Sequence, residues 1–109
     1  MVLYKTRTGW TSGGESLSYE LTTVAQGVIT HGQSITYNLD SSKIYIVTSY
    51  LIMAGVGCRQ LILTIKDNEV KGVVDINGSY SSYSISNGVL TLTATHGSNN
   101  NGYAICEMM

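Results

Sequence analysis

Any chemistry in this chain would have to come from two histidines, His31 and His96, two cysteines, Cys58 and Cys106, and seven acidic residues. Both histidines stand in a Thr-His-Gly string. A protein-held metal needs ligands at fixed short spacings, and the sequence has no Cys-x-x-Cys, His-x-His or His-x-x-x-His pair to supply them. The acidic residues Glu15, Glu20, Asp40, Asp67, Glu69, Asp75 and Glu107 are scattered, and none forms the Asp-x-Asp-x-Asp-Gly string of a calcium loop. A serine nucleophile of the elbow type sits in Gly-x-Ser-x-Gly between a strand and a helix. The nearest strings, Gly32-Gln33-Ser34-Ile35-Thr36 and Gly14-Glu15-Ser16-Leu17-Ser18, lack the second glycine. No phosphate-cradling loop is present. We therefore expect no catalytic residue, no metal, no cofactor and no enzyme activity.

What remains is tyrosine. The chain has eight Tyr, one Trp and no Phe, and Ser79-Tyr80-Ser81-Ser82-Tyr83-Ser84 is a Tyr/Ser patch of the kind that adaptable recognition surfaces use. A tyrosine offers rigid apolar area with a hydroxyl tip, which suits sugars and protein surfaces. Tyr80, Tyr83 and Trp10 are thus the candidate ligand or partner surface. Tyr83 is in phase with Ile85, so inward packing is the competing reading, and Trp10 equally suits a buried anchor.

The elements that must position these residues are strands. Ser34-Ile35-Thr36-Tyr37-Asn38-Leu39 and Val89-Leu90-Thr91-Leu92-Thr93-Ala94 alternate polar and apolar with period two. No long segment carries a helical repeat. Turn strings separate the runs, and Asn77-Gly78 and Asn87-Gly88 supply the positive φ that two-residue hairpins need. The pattern predicts strands near 17–23, 26–31, 34–39, 43–54, 59–66, 69–76, 79–86, 88–95 and 102–107. Strands this short, without helical crossovers, predict an all-β fold, an antiparallel β-sandwich, jelly roll or small barrel. Residues 1–16 are polar and Gly-rich and read as an N-terminal extended arm, leaving 17–109 as the β-domain.

One segment breaks the alternation. From Lys43 to Ala54 both faces are apolar, with Ile44, Ile46, Tyr50 and Ile52 on one and Tyr45, Val47, Leu51 and Met53 on the other. In an antiparallel sheet the outer face is normally polar, so the second face needs cover from the arm, from a bent strand or from another subunit. The subunit reading assigns Tyr45, Val47, Leu51 and Met53 to a homo-oligomer interface, with Lys43 and Arg59 as flanking gatekeepers.

Composition narrows the partners. Charged residues make up only 12% of the chain and the net charge is -1, with six Lys and Arg in no cluster, which gives no footprint for nucleic acid. The longest apolar stretch is too short to cross a bilayer as a helix, and the N-terminus has no h-region of a signal peptide. Two cysteines are too few for a disulfide scaffold, and free thiols are expected.

The run from Gln33 to Cys106, with Ser34 to Leu39, Lys43-Ile44-Tyr45-Ile46-Val47-Thr48-Ser49, Ser/Thr-rich hairpins and a closing Gly102-Tyr103-Ala104-Ile105, resembles small β-sandwich structural domains of tailed bacteriophages, of the tail-fibre tip, receptor-binding or head-decoration type. The resemblance implies a virion component made in the host bacterial cytoplasm. It further implies a homo-oligomer, with a trimer favoured, that contacts other virion proteins or a host surface glycan. The chain lacks a long repetitive shaft, so a small standalone or head-attached subunit fits better than an elongated fibre. The alternative is a small lectin-like carbohydrate-binding module; a hydrolase is a minor third.

Overall fold

The computed structural model describes residues 11–12, 15–16, 20–52 and 58–108. Two small pieces come first, β1 (Thr11–Ser12) and β2 (Glu15–Ser16), which pair with each other. Eight longer strands follow: β3 (Leu21–Ile29), β4 (Ser34–Asn38), β5 (Ile44–Leu51), β6 (Gln60–Lys66), β7 (Glu69–Ile76), β8 (Ser81–Ser86), β9 (Val89–Ala94) and β10 (Asn101–Met108). They form a five-stranded sheet in the order β3-β10-β5-β6-β7 and a three-stranded sheet in the order β4-β9-β8, with antiparallel pairing throughout. The fold is an antiparallel β-sandwich.

Turn chemistry explains the hairpins. Asp67 and Asn68 join β6 to β7 with φ of 55° and 60°, and Asn87-Gly88 joins β8 to β9 with 52° and 75°, the doubly positive pattern that matches strand twist. Asn77-Gly78 has the same geometry, 57° and 74°, but the expected hairpin is not there. Its next strand, β8, belongs to the other sheet, because Arg59 Nη1 donates to the Asn77 carbonyl at 2.6 Å and the Asn77 amide donates to the Cys58 carbonyl at 2.9 Å, turning the chain across the gap. The strands expected at 17–23 and 26–31 are one strand in the structure, β3. The break expected at Val24 and Ala25 is absorbed in the ladder, where the register shifts between Ile105 and Cys106 of β10, opposite Ala25 and Thr23, and leaves Val24 of β3 as the extra residue of a bulge.

Burial follows the period of two. Leu90, Leu92 and Ala94 of β9 are fully buried against Tyr45 and Val47 of β5, Leu61, Leu63 and Ile65 of β6, Ile29 of β3 and Ile105 of β10. Tyr37, half-buried beside this core, meets Tyr45 edge-on at 5.9 Å, and burial in the main raises its phenol pKa, with the neighbouring Tyr45 adding to the effect. The double-sided β5 resolves here. Tyr45, Val47 and Leu51 face the second sheet of their own chain and are 2%, 1% and 7% exposed, so they are core and not an intersubunit surface. Met53 lies outside the described residues. The side of β5 that faces outward is the other one, Ile44, Ile46, Thr48 and Tyr50. The gatekeeper residues are also engaged within the chain: Lys43 Nζ donates to Glu107 at 2.9 Å, and Arg59 holds the 77–78 turn.

The two outer faces differ in kind. Cα partners run across the narrow sheet in rows Ser34–Thr93–Ser82, Thr36–Thr91–Ser84 and Asn38–Val89–Ser86, a face of hydroxyls and amides apart from Val89. The rows of the wide sheet are Leu21–Met108–Ile44–Lys66–Glu69, Thr23–Cys106–Ile46–Thr64–Gly72, Gln26–Ala104–Thr48–Ile62–Val74 and Val28–Gly102–Tyr50–Gln60–Ile76. Apolar residues dominate that face.

Candidate functional site

The connections 30–33 after β3, 77–80 before β8 and 95–100 after β9 gather at one end of the sandwich, together with Ile52 after β5 and Cys58 and Arg59 before β6. Both Thr-His-Gly strings lie here. The His31 backbone N–H donates to Asn100 Oδ1 at 3.0 Å, and the next residue but one, Gln33, closes its turn on Thr30. His96 Nδ1 accepts two backbone N–H bonds, from Ser98 at 3.1 Å and Asn99 at 3.0 Å. A backbone N–H can only donate, so Nδ1 carries the lone pair and the ring proton sits on Nε2. The ring is thereby fixed in orientation and tautomer.

Tyr80 is the centre of this end. Its φ is 54°, a left-handed value that a bulky side chain adopts only when its surroundings impose it. Hydrogen bonds to its carbonyl impose it: the Thr95 N–H donates at 2.9 Å and Asn101 Nδ2 at 3.4 Å. Asn101 is itself fully buried, and the same amide nitrogen reaches Ser81 Oγ at 2.8 Å, Ser49 Oγ at 3.1 Å and the Ser79 carbonyl at 3.3 Å. Asp75 Oδ1 accepts the Ser79 N–H at 3.0 Å. The result is a ring held 45% exposed, edge-on to His96 at 4.8 Å, with the Arg59 guanidinium 5.8 Å from its centroid. An exposed ring with a guanidinium over it and an imidazole edge-on beside it offers apolar stacking area with two nitrogen donors close by.

Of the residues expected to form a recognition surface, Tyr80 is in this cluster. Tyr83 is two residues into β8, shares its inward phase with Ile85, and stays 38% exposed because β8 is an edge strand. It makes no ring contact with Tyr80 among the described residues. Trp10 lies outside the described residues. His96, Arg59 and Asn101 complete the cluster and were not expected there; they come from three different connections and strands, and no local string links them. Cys58 and Cys106 are free thiols, the first exposed at this end and the second on the outward face of β10. Among the described residues no three His, Cys, Asp or Glu side chains converge, and no helix is long and apolar enough to cross a membrane.

No family model and no curated protein matches the chain. Among solved structures it is similar to the tailspike protein of Acinetobacter phage vB_ApiP_P1, at 11% identity and a TM-score of 0.32, over 94% of this chain and 24% of that one. The chain thus spans about a quarter of the length of that tailspike.

Proposed function

We propose that this chain is a non-enzymatic recognition domain of the virion-surface kind that its sequence resembles, and that it contacts a surface glycan through Tyr80, His96 and Arg59. The observation that carries the reading is the strained, exposed Tyr80. A fold does not keep a bulky residue at φ 54° with two hydrogen bonds on its carbonyl merely to leave the ring in water. A pyranose ring lays its C–H face on such an aromatic surface, and the Arg59 guanidinium and the His96 Nε2–H can donate to hydroxyl or carboxylate oxygens around it. Arg59 is the one cation in the cluster, too little charge for a polyanion, which favours a sugar. A free-standing lectin-like module would use the same cluster.

The test is a glycan array read with the wild-type protein and with Tyr80→Ala. Binding to defined glycans that falls at least tenfold in the variant, with an unchanged circular dichroism spectrum, is the expected result. Wild-type binding that survives Tyr80→Ala moves the site elsewhere. A screen of ester, glycoside and peptide substrates, with and without divalent metals, is expected to show no turnover; hydrolysis lost in His96→Ala would overturn the non-enzymatic reading.

A further inference from the structure

The outward face of the five-stranded sheet contradicts the way this chain treats water elsewhere. On the narrow sheet, the outward positions of β4, β8 and β9 are Ser, Thr and Asn with one Val. On the wide sheet the corresponding positions are Leu21, Val28, Ala104, Cys106, Met108, Ile44, Ile46, Tyr50, Ile62, Val74 and Ile76, interrupted by Thr, Gln and Gly. Leu21, Val28, Tyr50 and Val74 are 47%, 57%, 47% and 52% exposed. Charge enters this field at one corner, where Lys66, Glu69 and Lys71 lie together on β6 and β7. Among the described residues, the β1–β2 hairpin makes no substantial contact with either sheet.

We propose that this face is the contact between copies of this chain, a second molecule laying its own wide sheet against it. The size of the face supports a copy as occupant. Five strands about 4.8 Å apart and eight residues rising about 3.3 Å each make a field on the order of 600 Å² in projection. The accessible surface of side chains exceeds their projection, so covering the field removes about the 800 Å² per partner of an ordinary stable interface. A lone exposed patch of that size is at the top of what a monomer shows. The charge pattern supports it as well. The centre of the face is uncharged, so it selects neither an acidic nor a basic partner, and its best complement is another flat apolar sheet packed about 10 Å away. In the row nearest the loop end the Tyr50 ring lies across Gly102, where a Cβ would collide with it, so the missing side chain leaves no gap there.

This contact is independent of the glycan reading, since Tyr80, His96 and Arg59 sit at the loop end and not on this face. Its test is native mass by light scattering of the full chain, alongside the triple variant Ile46→Thr, Ile62→Thr and Val74→Thr. Threonine keeps the β-branch and rewrites the face in the residues used on the narrow sheet. Two copies for the wild type and one for the variant, with matching circular dichroism, is the expected result. A wild type that is monomeric at high micromolar concentration overturns the proposal, whatever covers the face; so does a variant that keeps the wild-type mass. Should the triple variant not fold, thiol labelling of the wild type decides: Cys106 lies on the face and Cys58 at the loop end. Cys106 is expected to react at least tenfold more slowly at high protein concentration than on dilution, while Cys58 stays constant. Equal concentration dependence of the two thiols refutes the contact.

Discussion

Tyr80 gives a prediction in which the usual order of glycine and alanine reverses. In an ordinary strand, glycine is less stable than alanine by about 0.5–1 kcal/mol, because it loses more backbone freedom on folding. At φ 54° the Cβ of any L-residue costs about 1–2 kcal/mol that glycine does not. The difference, roughly 0.5–1 kcal/mol, should make Tyr80→Gly more stable than Tyr80→Ala. Both variants lose the ring, so the contacts to His96 at 4.8 Å and Arg59 at 5.8 Å drop out of the comparison. In a domain of this size the gap corresponds to roughly 2–8 °C in melting temperature. Thermal melts and urea titrations followed by circular dichroism measure it. Both variants should also lose glycan binding equally, because the ring and not the backbone meets the ligand. Alanine as stable as glycine, or more so, would refute the argument that the Thr95 and Asn101 hydrogen bonds hold Tyr80 in a strained state.

Four further outcomes are expected. Leu92→Ala, at a fully buried position on the central strand of the narrow sheet, should cost about 2–5 kcal/mol in a urea titration, a large part of the stability of a small domain. Ser42 donates to Asp40 Oδ1 from its hydroxyl and its N–H and so lowers the Asp40 pKa below its ordinary value; the unfolded chain takes up that proton first, so the contribution is present above ordinary aspartate values, fades as pH falls through the lower folded value, and should vanish from the acid limb in Asp40→Asn. The Glu107 carboxylate, hydrogen-bonded to Lys43 at 2.9 Å, raises the Lys43 pKa, so its contribution is full below ordinary lysine values and is lost as pH rises through the higher folded value, an alkaline limb that Lys43→Met should flatten. Reductant should leave the melting temperature unchanged, since Cys58 and Cys106 are free.

The strands and the sandwich were readable because local pattern and burial agree: where the sequence alternates, as in β4 and β9, the apolar set meets the core. The doubly positive turn at Asn87-Gly88 was equally local. The face of β5 was not readable. Ile44 and Ile46 are as apolar as Tyr45 and Val47, and what turns the second pair inward is non-local, the apposition of Leu90 and Leu92 from β9. The choice between the two parities therefore rests on which face the second sheet covers. The site was readable only at Tyr80. His96 stands 16 positions after it and Arg59 21 before it, and their meeting depends on the pairing of β8 with β9 and on one crossover between sheets, from β7 to β8, that no pattern within one strand encodes.

The buried amide of Asn101 has a consequence beyond the support of Tyr80. β10 is an inner strand of the wide sheet, paired with β3 on one side and β5 on the other, and could in principle slide along either neighbour. Slipping by one residue would swing the amide to the outward face and put Gly102 in the core; slipping by two would carry it away from Ser49, Ser81 and the Ser79 carbonyl into the apolar layer around Ile105. In either case Ser49, Ser81 and the Ser79 carbonyl lose the bonds that the amide donates, at about 1–3 kcal/mol for each buried group left unpaired. An apolar residue at 101 would tolerate those slips far better. The asparagine thus acts as an indexing pin, which gives β10 one permitted alignment and fixes, through it, where the 77–80 and 95–100 connections sit at the recognition end.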